Sequence, residues 1–304
     1  MAISRAQLVK ELEPGLNALF GLEYKRYDNQ HAEIYTNESS DRAFEEEVML
    51  SGFANANVKV EGSGVNYDQA QETYSARYTH DTIALAFAIT EEAIEDNLYD
   101  KISSRYTKAL ARSMSNAKQV KAAAPLNNGL PTVDGFDSGD GVSLFNTSHT
   151  TVSGTNVKNT LTTQADLNET SLEQSLIDIA AMTDERGLKI AAKGMKLIIP
   201  SALQFTAERL MKSTQRVATA DNDINAVVSM GMVPQGYRVN NFLTDSDSWY
   251  IITDVPNGMK MFTRAPLTTA MEGDFDTGNV RYKARERYSF GVSDYRGIFG
   301  CEGA

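Results

Sequence analysis

Residues 74–92 read Tyr-Ser-Ala-Arg-Tyr-Thr-His-Asp-Thr-Ile-Ala-Leu-Ala-Phe-Ala-Ile-Thr-Glu-Glu. Large residues fall on even positions up to Tyr78 and on odd positions from Ile83 to Ile89. Because the side chains of a strand alternate with period two, a change of phase near residues 79–82 requires a bulge or a bend. We predict that a projecting hairpin re-enters the globular body at this point.

The residues before this point are small, polar and rich in glycine. Weak alternation occurs at Val58 and Val60 and again from Tyr74 to Tyr78, with Gly62 and its neighbours between them. This pattern predicts two strands joined by a long flexible excursion.

The first fifty residues carry little periodic signal. One short amphipathic stretch, residues 6–13, is followed by Pro14-Gly15, which we expect to stop a helix. The polar run that continues to Asp41 then predicts an extended arm.

A long helix is predicted after the strand. It begins at Thr90-Glu91-Glu92, runs to about Ala123 and ends at Pro125 and the Asn-Asn-Gly sequence beyond it. Its acidic residues precede its basic ones, an order that complements the helix dipole. Successive members of its apolar stripe are four residues apart, which predicts a buried face that rotates along the helix. The stripe comprises Ile94, Leu98, Ile102, Tyr106, Leu110 and Met114.

The second half mixes strands and helices without regular alternation, which predicts an α+β fold. A capping box at Thr170–Glu173 opens a helix, and Pro200-Ser201 opens another after a strand at Lys196–Ile199. Further strands are predicted at Tyr237–Leu243, Trp249–Thr253, Met259–Arg264 and Val280–Phe290.

Two rows of basic residues are candidates for an interface. One lies on the long helix and the other on one face of the last strand. Their members are Lys101, Arg105, Lys108 and Arg112 on the helix, and Arg281, Lys283, Arg285 and Arg287 on the strand. Each row is either a solvated face or a partner for acidic residues of the first hundred, within the chain or in a second copy. The candidate counter-charges are Glu61, Asp68, Glu72 and the run Glu45-Glu46-Glu47.

Length and composition exclude several classes of protein. With 304 residues and 41% hydrophobic content, the chain is large enough to bury a core. Its longest apolar run, the seven residues Ile83–Ile89, predicts neither a membrane span nor a secretory signal. The single cysteine, Cys301, permits no intramolecular disulfide and indicates assembly in a reducing cytoplasm.

Negative charge is concentrated in the first third. Residues 1–100 hold 7 Lys and Arg against 19 Asp and Glu, a net charge of -12, whereas the whole chain has -11. Sequence-independent binding of nucleic acid by this portion is therefore disfavoured.

Few residues are spaced for catalysis or metal binding. The three histidines (His31, His80 and His149) are far apart in sequence, and the loop from Asp134 to Asp140 lacks the Glu that completes a calcium loop. Because no nucleotide-binding fingerprint occurs either, we predict no catalytic residue, no cofactor and no metal.

The order of these features resembles the major capsid protein of tailed bacteriophages, which has the Hong Kong 97-type fold. The first half contributes the acidic N-terminal segment, the glycine-containing excursion, the strand running into Thr90-Glu91-Glu92 and the long helix. In the second half, Lys196-Leu-Ile-Ile-Pro200-Ser-Ala-Leu203 is similar to the family's Ile-Pro-X-X-Leu passage. Residues 245–252 and 282–297 resemble its closing segments.

The resemblance implies a domain organisation. It places an N-terminal arm and the entry to the peripheral domain at residues 1–53, an extended β-hairpin loop at 54–82, a peripheral domain with the spine helix at 83–124, an axial domain at 125–265 and a return to the peripheral domain at 266–304.

The resemblance also implies a function and partners. The chain would be a structural, non-enzymatic subunit that assembles into an icosahedral head around packaged double-stranded DNA. Its partners would be further copies of itself in hexamers and pentamers, a portal protein and the DNA. An N-terminal scaffolding segment is not expected, which implies a separate scaffolding protein or an already processed chain. The protein would be found in the virion, after assembly in the host cytoplasm.

Two other functions fit the sequence. A bacterial nanocompartment shell protein would share this fold and differ in its cargo. A cytoplasmic α+β enzyme would assemble its site from dispersed carboxylates, such as Asp221, Asp223, Asp245 and Asp247. It would form a compact monomer or a small oligomer.

Overall fold

A computed structural model describes residues 5–90, 92, 99–130, 132, 135–216, 223–274 and 278–304. Side-chain environments are described from Pro14 onward in the first helix and from Ser103 onward in the long helix. The predicted start of the long helix at Thr90-Glu91-Glu92, with Ile94 and Leu98, lies largely outside the described residues. Asp134 and Asp221 also lie outside them.

Five α-helices are present in the described residues. They are α1 (Arg5–Tyr24), α2 (Tyr99–Asn128), α3 (Glu169–Ala181), α4 (Gln204–Lys212) and α5 (Ala226–Ser229). None of these helices is long and apolar enough to cross a membrane.

The strands form two larger sheets and two strand pairs. They are β1 (Thr36–Ser39), β2 (Phe44–Leu50), β3 (Glu72–Thr79), β4 (Asp81–Ile89), β5 (His149–Thr150), β6 (Asn156–Val157), β7 (Gly194–Ile199), β8 (Tyr237–Val239), β9 (Trp249–Thr253), β10 (Met259–Gly273), β11 (Val280–Val292) and β12 (Ile298–Cys301). The first sheet has the order β1-β10-β11-β4 and the second β12-β9-β7-β8, while β2 pairs with β3 and β5 with β6. The predicted α+β class is confirmed.

The bend predicted near residues 79–82 is confirmed at His80. Strand β3 ends at Thr79 in the β2–β3 hairpin, and β4 begins at Asp81 in the first sheet. The single residue between them lets the chain change sheets and exchange its buried face. Tyr78 is buried before the bend, and Ile89 is buried after it.

The hairpin differs from its prediction in extent. Its first strand is β2, which lies before the excursion, whereas Val58 and Val60 belong to no strand and are 95% and 70% exposed. Residues 53–71 are exposed, and no strand in the described part of the chain pairs with them.

The prediction that Pro14-Gly15 stops a helix is wrong. Helix α1 continues through Pro14 to Tyr24. A proline inside a helix costs about 3 kcal/mol. Here Leu16 and Phe20, four residues apart on the far side of the proline, are buried against α2 and the first sheet. Burial of two large side chains offsets a cost of that size.

Helix α2 also differs from its prediction at its end and along its stripe. It continues past Pro125 to Asn128, because Leu126 in that last turn is fully buried in the main core. From Ser103 onward, the buried positions advance by both threes and fours, so this part of the helix buries one continuous face and does not show the predicted rotation. Tyr106, a predicted member of the stripe, is 52% exposed. The buried positions in this part are Ser103, Thr107, Leu110, Ala111, Met114 and Ser115.

The main core lies between α3 and the second sheet. Its buried members include the predicted apolar face of α3, namely Leu172, Leu176, Ile179 and Met182. The capping box sits two residues earlier than predicted. The Asn168 side chain accepts from the Ser171 N–H, while the Ser171 hydroxyl accepts from the Asn168 N–H.

Strand β11 joins this core to the smaller one beneath α1. Its alternation is confirmed, since Val280, Tyr282 and Ala284 are buried and the basic residues between them are exposed. Tyr282 and Ala284 pack in the smaller core, whereas Tyr288 and Val292 belong to the main core. One strand therefore contributes to both.

We expect Met114→Ala to destabilise the isolated subunit by about 2–5 kcal/mol, because Met114 is 1% exposed beneath α1. The matched control is Val120→Ala on the same helix, where the side chain is 51% exposed and the change is expected to stay within about 0.5 kcal/mol. Urea unfolding of unassembled protein measures both. Equal losses would contradict the assignment of the buried face.

Candidate assembly surfaces

The basic row of the long helix lies on the exposed side of α2. Arg105 and Lys108 are exposed, and within the described part of the chain neither forms an ion pair. Arg112 is already engaged, because it lies 3.5 Å from the Glu23 carboxylate and over the ring of Tyr27. Lys101 lies in α2, but its side chain is outside the described residues.

The basic row of β11 lies on the outer face of the first sheet. Arg281, Lys283 and Arg285 are exposed, whereas Arg287 is half-buried with its Nε unpartnered. Arg281 forms an ion pair with Asp274. Members of the row are two residues apart, which spaces them by about 7 Å along the strand.

Small residues flank this row on both sides. Directly opposite side chains share one face of a sheet. Lys283 is paired with Ala86 on β4 and Ala270 on β10. Arg285 is paired with Ala84 and Thr268 in the same way. The side chains of Lys283 and Arg285 therefore project beyond the small side chains beside them. An extended segment could approach the sheet closely at this place.

The predicted acidic counter-charges lie along the excursion. Glu61 stands at its tip, in the turn that Gly62 makes with a φ of +83°, and Glu72 begins β3. Both are exposed. The structure therefore leaves these two carboxylates available to a partner.

Asp68 has a role within its own chain. Its carboxylate accepts from the backbone N–H of Ala54 at 2.7 Å and from that of Gln69 at 2.9 Å, which ties the two limbs of the excursion together. The hydrogen bonds from Ala54 and Gln69 lower the pKa of Asp68, and Arg186 lies 3.8 Å away.

The acidic run Glu45-Glu46-Glu47 is also used within the chain. Glu46 lies 3.7 Å from Arg77 on the paired strand, and the Ser40 hydroxyl donates to Glu45 at 2.7 Å. Three glutamates in a row on one strand alternate in direction, so the run could not serve a partner as a unit.

Glu47 holds the base of the hairpin to the first sheet. It pairs with Lys260 at 2.5 Å and accepts from the Ser293 hydroxyl, which in turn contacts the hydroxyl of Tyr78. Burial disfavours the charge on Lys260, but the hydrogen bonds that it donates to Glu47 and Glu38 raise its pKa overall. Because two strands of the hairpin contribute to this polar cluster, it sets the direction in which the excursion projects.

A buried ion pair lies beneath α2, and one feature of the sequence indicates it. Glu286 occupies a position of the apolar face of β11, and it is 2% exposed. Lys118 donates to it at 3.2 Å, and the Tyr24 hydroxyl lies 3.4 Å away. Burial raises the pKa of Glu286, with Lys118 acting against it. A charged residue in a buried register predicts such a partner, although it does not say which element supplies it.

The three histidines are all buried. His149 is stacked on Tyr295 with its ring nitrogens 2.6 Å from Asp140 and 3.1 Å from Asn159. His80 lies between the hydroxyls of Ser40 and Ser289, at 2.9 Å from each. These contacts connect loops to sheets, so the rings of His149 and His80 have a structural role.

No group of three or more potential metal ligands occurs among the residues that the structure describes. Of the carboxylates considered for an enzyme, Asp245 accepts from the backbone N–H of Asp247 at 3.1 Å in an exposed turn. The backbone carbonyl of Asp223 accepts from Arg216 at 2.8 Å. These contacts shape loops.

Comparison with protein families supports the shell. The family described as phage capsid protein matches residues 73–300, from the second strand of the hairpin to the last strand. The chain belongs to the phage capsid protein family. Membership makes it a structural major capsid protein, in agreement with the exposed excursion and the exposed basic row of β11. No curated protein matches its sequence significantly.

Solved structures of capsids share the fold of this family member at low sequence identity. The capsid of Myoviridae phage XM1 superposes with a TM-score of 0.55 at 11% identity, over 89% of each chain. The capsid of an empty GTA particle gives 0.58 at 14%, over 91% of each. A virus-like particle from Pyrococcus furiosus gives 0.52 at 10%, over 94% of this chain and 98% of the other. The predicted Hong Kong 97-type fold is confirmed.

We expect His31 to make the capsid subunit acid-sensitive. Burial, together with the charge of Lys118, lowers the pKa of His31 from 6.5 to about 4. Between these values the unfolded state binds more protons than the folded state, so stability falls as the pH drops through this window, by up to about 1.4 kcal/mol per pH unit.

Replacing the ring with an apolar one tests this. His31→Phe keeps an aromatic ring against Phe290 and removes the titrating group. The free energy of unfolding of unassembled subunits, measured by urea from pH 7 to pH 4, should fall less steeply in this variant than in the wild type. Parallel curves would show that His31 does not carry the effect.

Proposed function

We propose that this capsid protein builds an icosahedral shell of hexamers and pentamers around packaged double-stranded DNA. The family match over residues 73–300 supports this proposal most strongly. A second observation supports it independently. Residues 53–71 expose Phe53, Val58, Val65 and Tyr67, and such a segment is typical of a surface that other copies cover.

Partners and location follow from this role. We infer a separate scaffolding protein during assembly, a portal protein at one vertex, and assembly in the host cytoplasm before the protein resides in the virion. We also infer that the chain has no catalytic function and needs no cofactor. A nanocompartment shell protein would share the fold, but the family match is to phage capsids.

The proposal includes the division into domains that the family resemblance implies. The peripheral domain, residues 83–124 and 266–304, would contain most of the first sheet and of α2, whereas α1 and β1 fall in the segment 1–53. The axial domain, residues 125–265, would contain α3 and the second sheet except β12, which lies near the end of the chain. Strand β10, Met259–Gly273, spans the proposed boundary at 265 and so ties the two together.

Of the two basic rows, the sheet row is the better candidate for an interface between subunits. Arg112 of the helix row is already paired within its own chain. Lys283 and Arg285 form no ion pair in the described ranges, and small side chains on both neighbouring strands leave room for an extended acidic segment. Glu61 and Glu72 of another copy are the proposed counter-charges.

Charge reversal tests this assignment. Lys283→Glu with Arg285→Glu should lower particle yield severalfold, while subunit stability changes little because exposed charges contribute little to folding. Adding Glu61→Lys with Glu72→Lys should partly restore the yield. Light scattering measures particles, and urea unfolding measures the subunits.

The matched control is Arg105→Glu with Lys108→Glu, which makes the same change of charge on the helix row. We expect a smaller loss of particles from this pair. A larger loss from the helix pair than from the sheet pair would reverse the assignment of the interface.

Electron microscopy of the purified protein tests the function as a whole. We expect closed particles or curved sheets at high protein concentration. A compact monomer that persists in sedimentation at high concentration and moderate salt would overturn the proposal and favour the enzyme.

A further inference from the structure

Strand β4 forms one edge of the first sheet. It pairs with β11 on one side only. Among the described residues, no other backbone–backbone hydrogen bond reaches residues 81–89, and the one side-chain bond there joins Lys121 to the Asp81 carboxylate at the start of the strand. A row of N–H and C=O groups along its outer side is therefore open to another strand.

This edge lacks the features that usually prevent pairing. Natural proteins protect edge strands by making them short or by placing lysine, proline or inward charges on them. The opposite edge, β1, is four residues long and its Glu38 pairs with Lys260. Strand β4 is nine residues long, carries no charge after Asp81, and exposes 46% of Leu85. We expect such an edge to pair with another segment of chain.

Residues 55–60 have the properties of a strand without a partner. They read Asn-Ala-Asn-Val-Lys-Val, so small or apolar residues alternate with polar ones. They lie between two fixed points, the Ala54 N–H held by Asp68 and the turn in which the Ser63 N–H donates to the Val60 carbonyl at 3.1 Å. All six residues are exposed.

The two features match in length and in chemistry. Six residues of strand extend over about 20 Å, which fits within the roughly 30 Å of β4. If Val58 and Val60 lie on the side of Leu85, they cover its exposed surface. Period two then places Lys59 on the opposite face, which is the face of the Lys283 row, and Glu61 follows in the turn that ends the segment.

We propose that residues 55–60 of one subunit pair with the outer edge of β4 in a neighbouring subunit and add a fifth strand to its first sheet. The proposal rests on the proposed function, because it needs a second copy of the chain. It also explains why a segment with a strand pattern carries no ladder in the single subunit.

Proline substitution tests the pairing, since proline has no N–H to donate. Adjacent strand residues direct their N–H groups to opposite sides, so either Asn57→Pro or Val58→Pro must remove a donor to β4. At least one of them should lower particle yield severalfold. Asn66→Pro is the control, because it lies on the exposed return limb of the same excursion and should leave the yield unchanged. Equal yields from all three variants would overturn the proposal.

Hydrogen exchange of free subunits and of particles is the second measurement. Amides of both β4 and residues 55–60 should exchange about tenfold more slowly, or slower still, in particles. Protection of β4 without residues 55–60 would mean a different occupant and would overturn the proposal. Well-formed particles in which neither segment is protected would overturn it and leave the proposed function intact. Failure of the wild-type chain to form any particles would overturn both.

Discussion

The buried face of β11 holds the described parts of this subunit together. Tyr282 and Ala284 lie beneath α1 and α2, while Tyr288 and Val292 extend the same face into the core of the second sheet. Both long helices and both larger sheets depend on one strand whose alternate residues are apolar. Because side chains of a strand alternate strictly, the same residues that bury one face must present the other, and that other face carries the cations. The core and the proposed interface are thus two consequences of one periodicity.

The polar interactions inside the molecule determine how the exposed parts are held. Glu47 joins the hairpin to the sheet through Lys260 and Ser293, and Asp68 joins the two limbs of the excursion. Both carboxylates are part of the acidic first third, whose charge suggested a role toward partners. Their use within the chain reduces the set available to a neighbour to residues such as Glu61 and Glu72. In a single subunit, polar contacts therefore fix the base of the hairpin, while the tip of the excursion stays exposed. This arrangement fits a protein whose surface is completed by other copies.

The extent to which the candidate surfaces could be predicted differs between them. The sheet row followed from the alternation of β11, and the structure places Lys283 and Arg285 on the exposed face. The engagement of Arg112 with Glu23 could not be predicted, since α1 was expected to end at Pro14 and Glu23 lies beyond it. Glu286 showed its burial by its register, whereas its partner Lys118 lies 168 residues away and only packing brings the two together.

The sequence by itself determined the order of the main elements from β4 onward, the two-faced strand, the bend at His80 and the family resemblance, because periodicity, capping and phase are local properties of the chain. Only the tertiary structure decided where helices end, which carboxylates are engaged and which strand has a free edge. Helix α1 passes Pro14 and α2 passes Pro125 because apolar side chains beyond each proline are buried, and burial offsets the local cost. Such burial, like the pairing of distant charges, depends on neighbours that are far apart in sequence, and no local pattern records them.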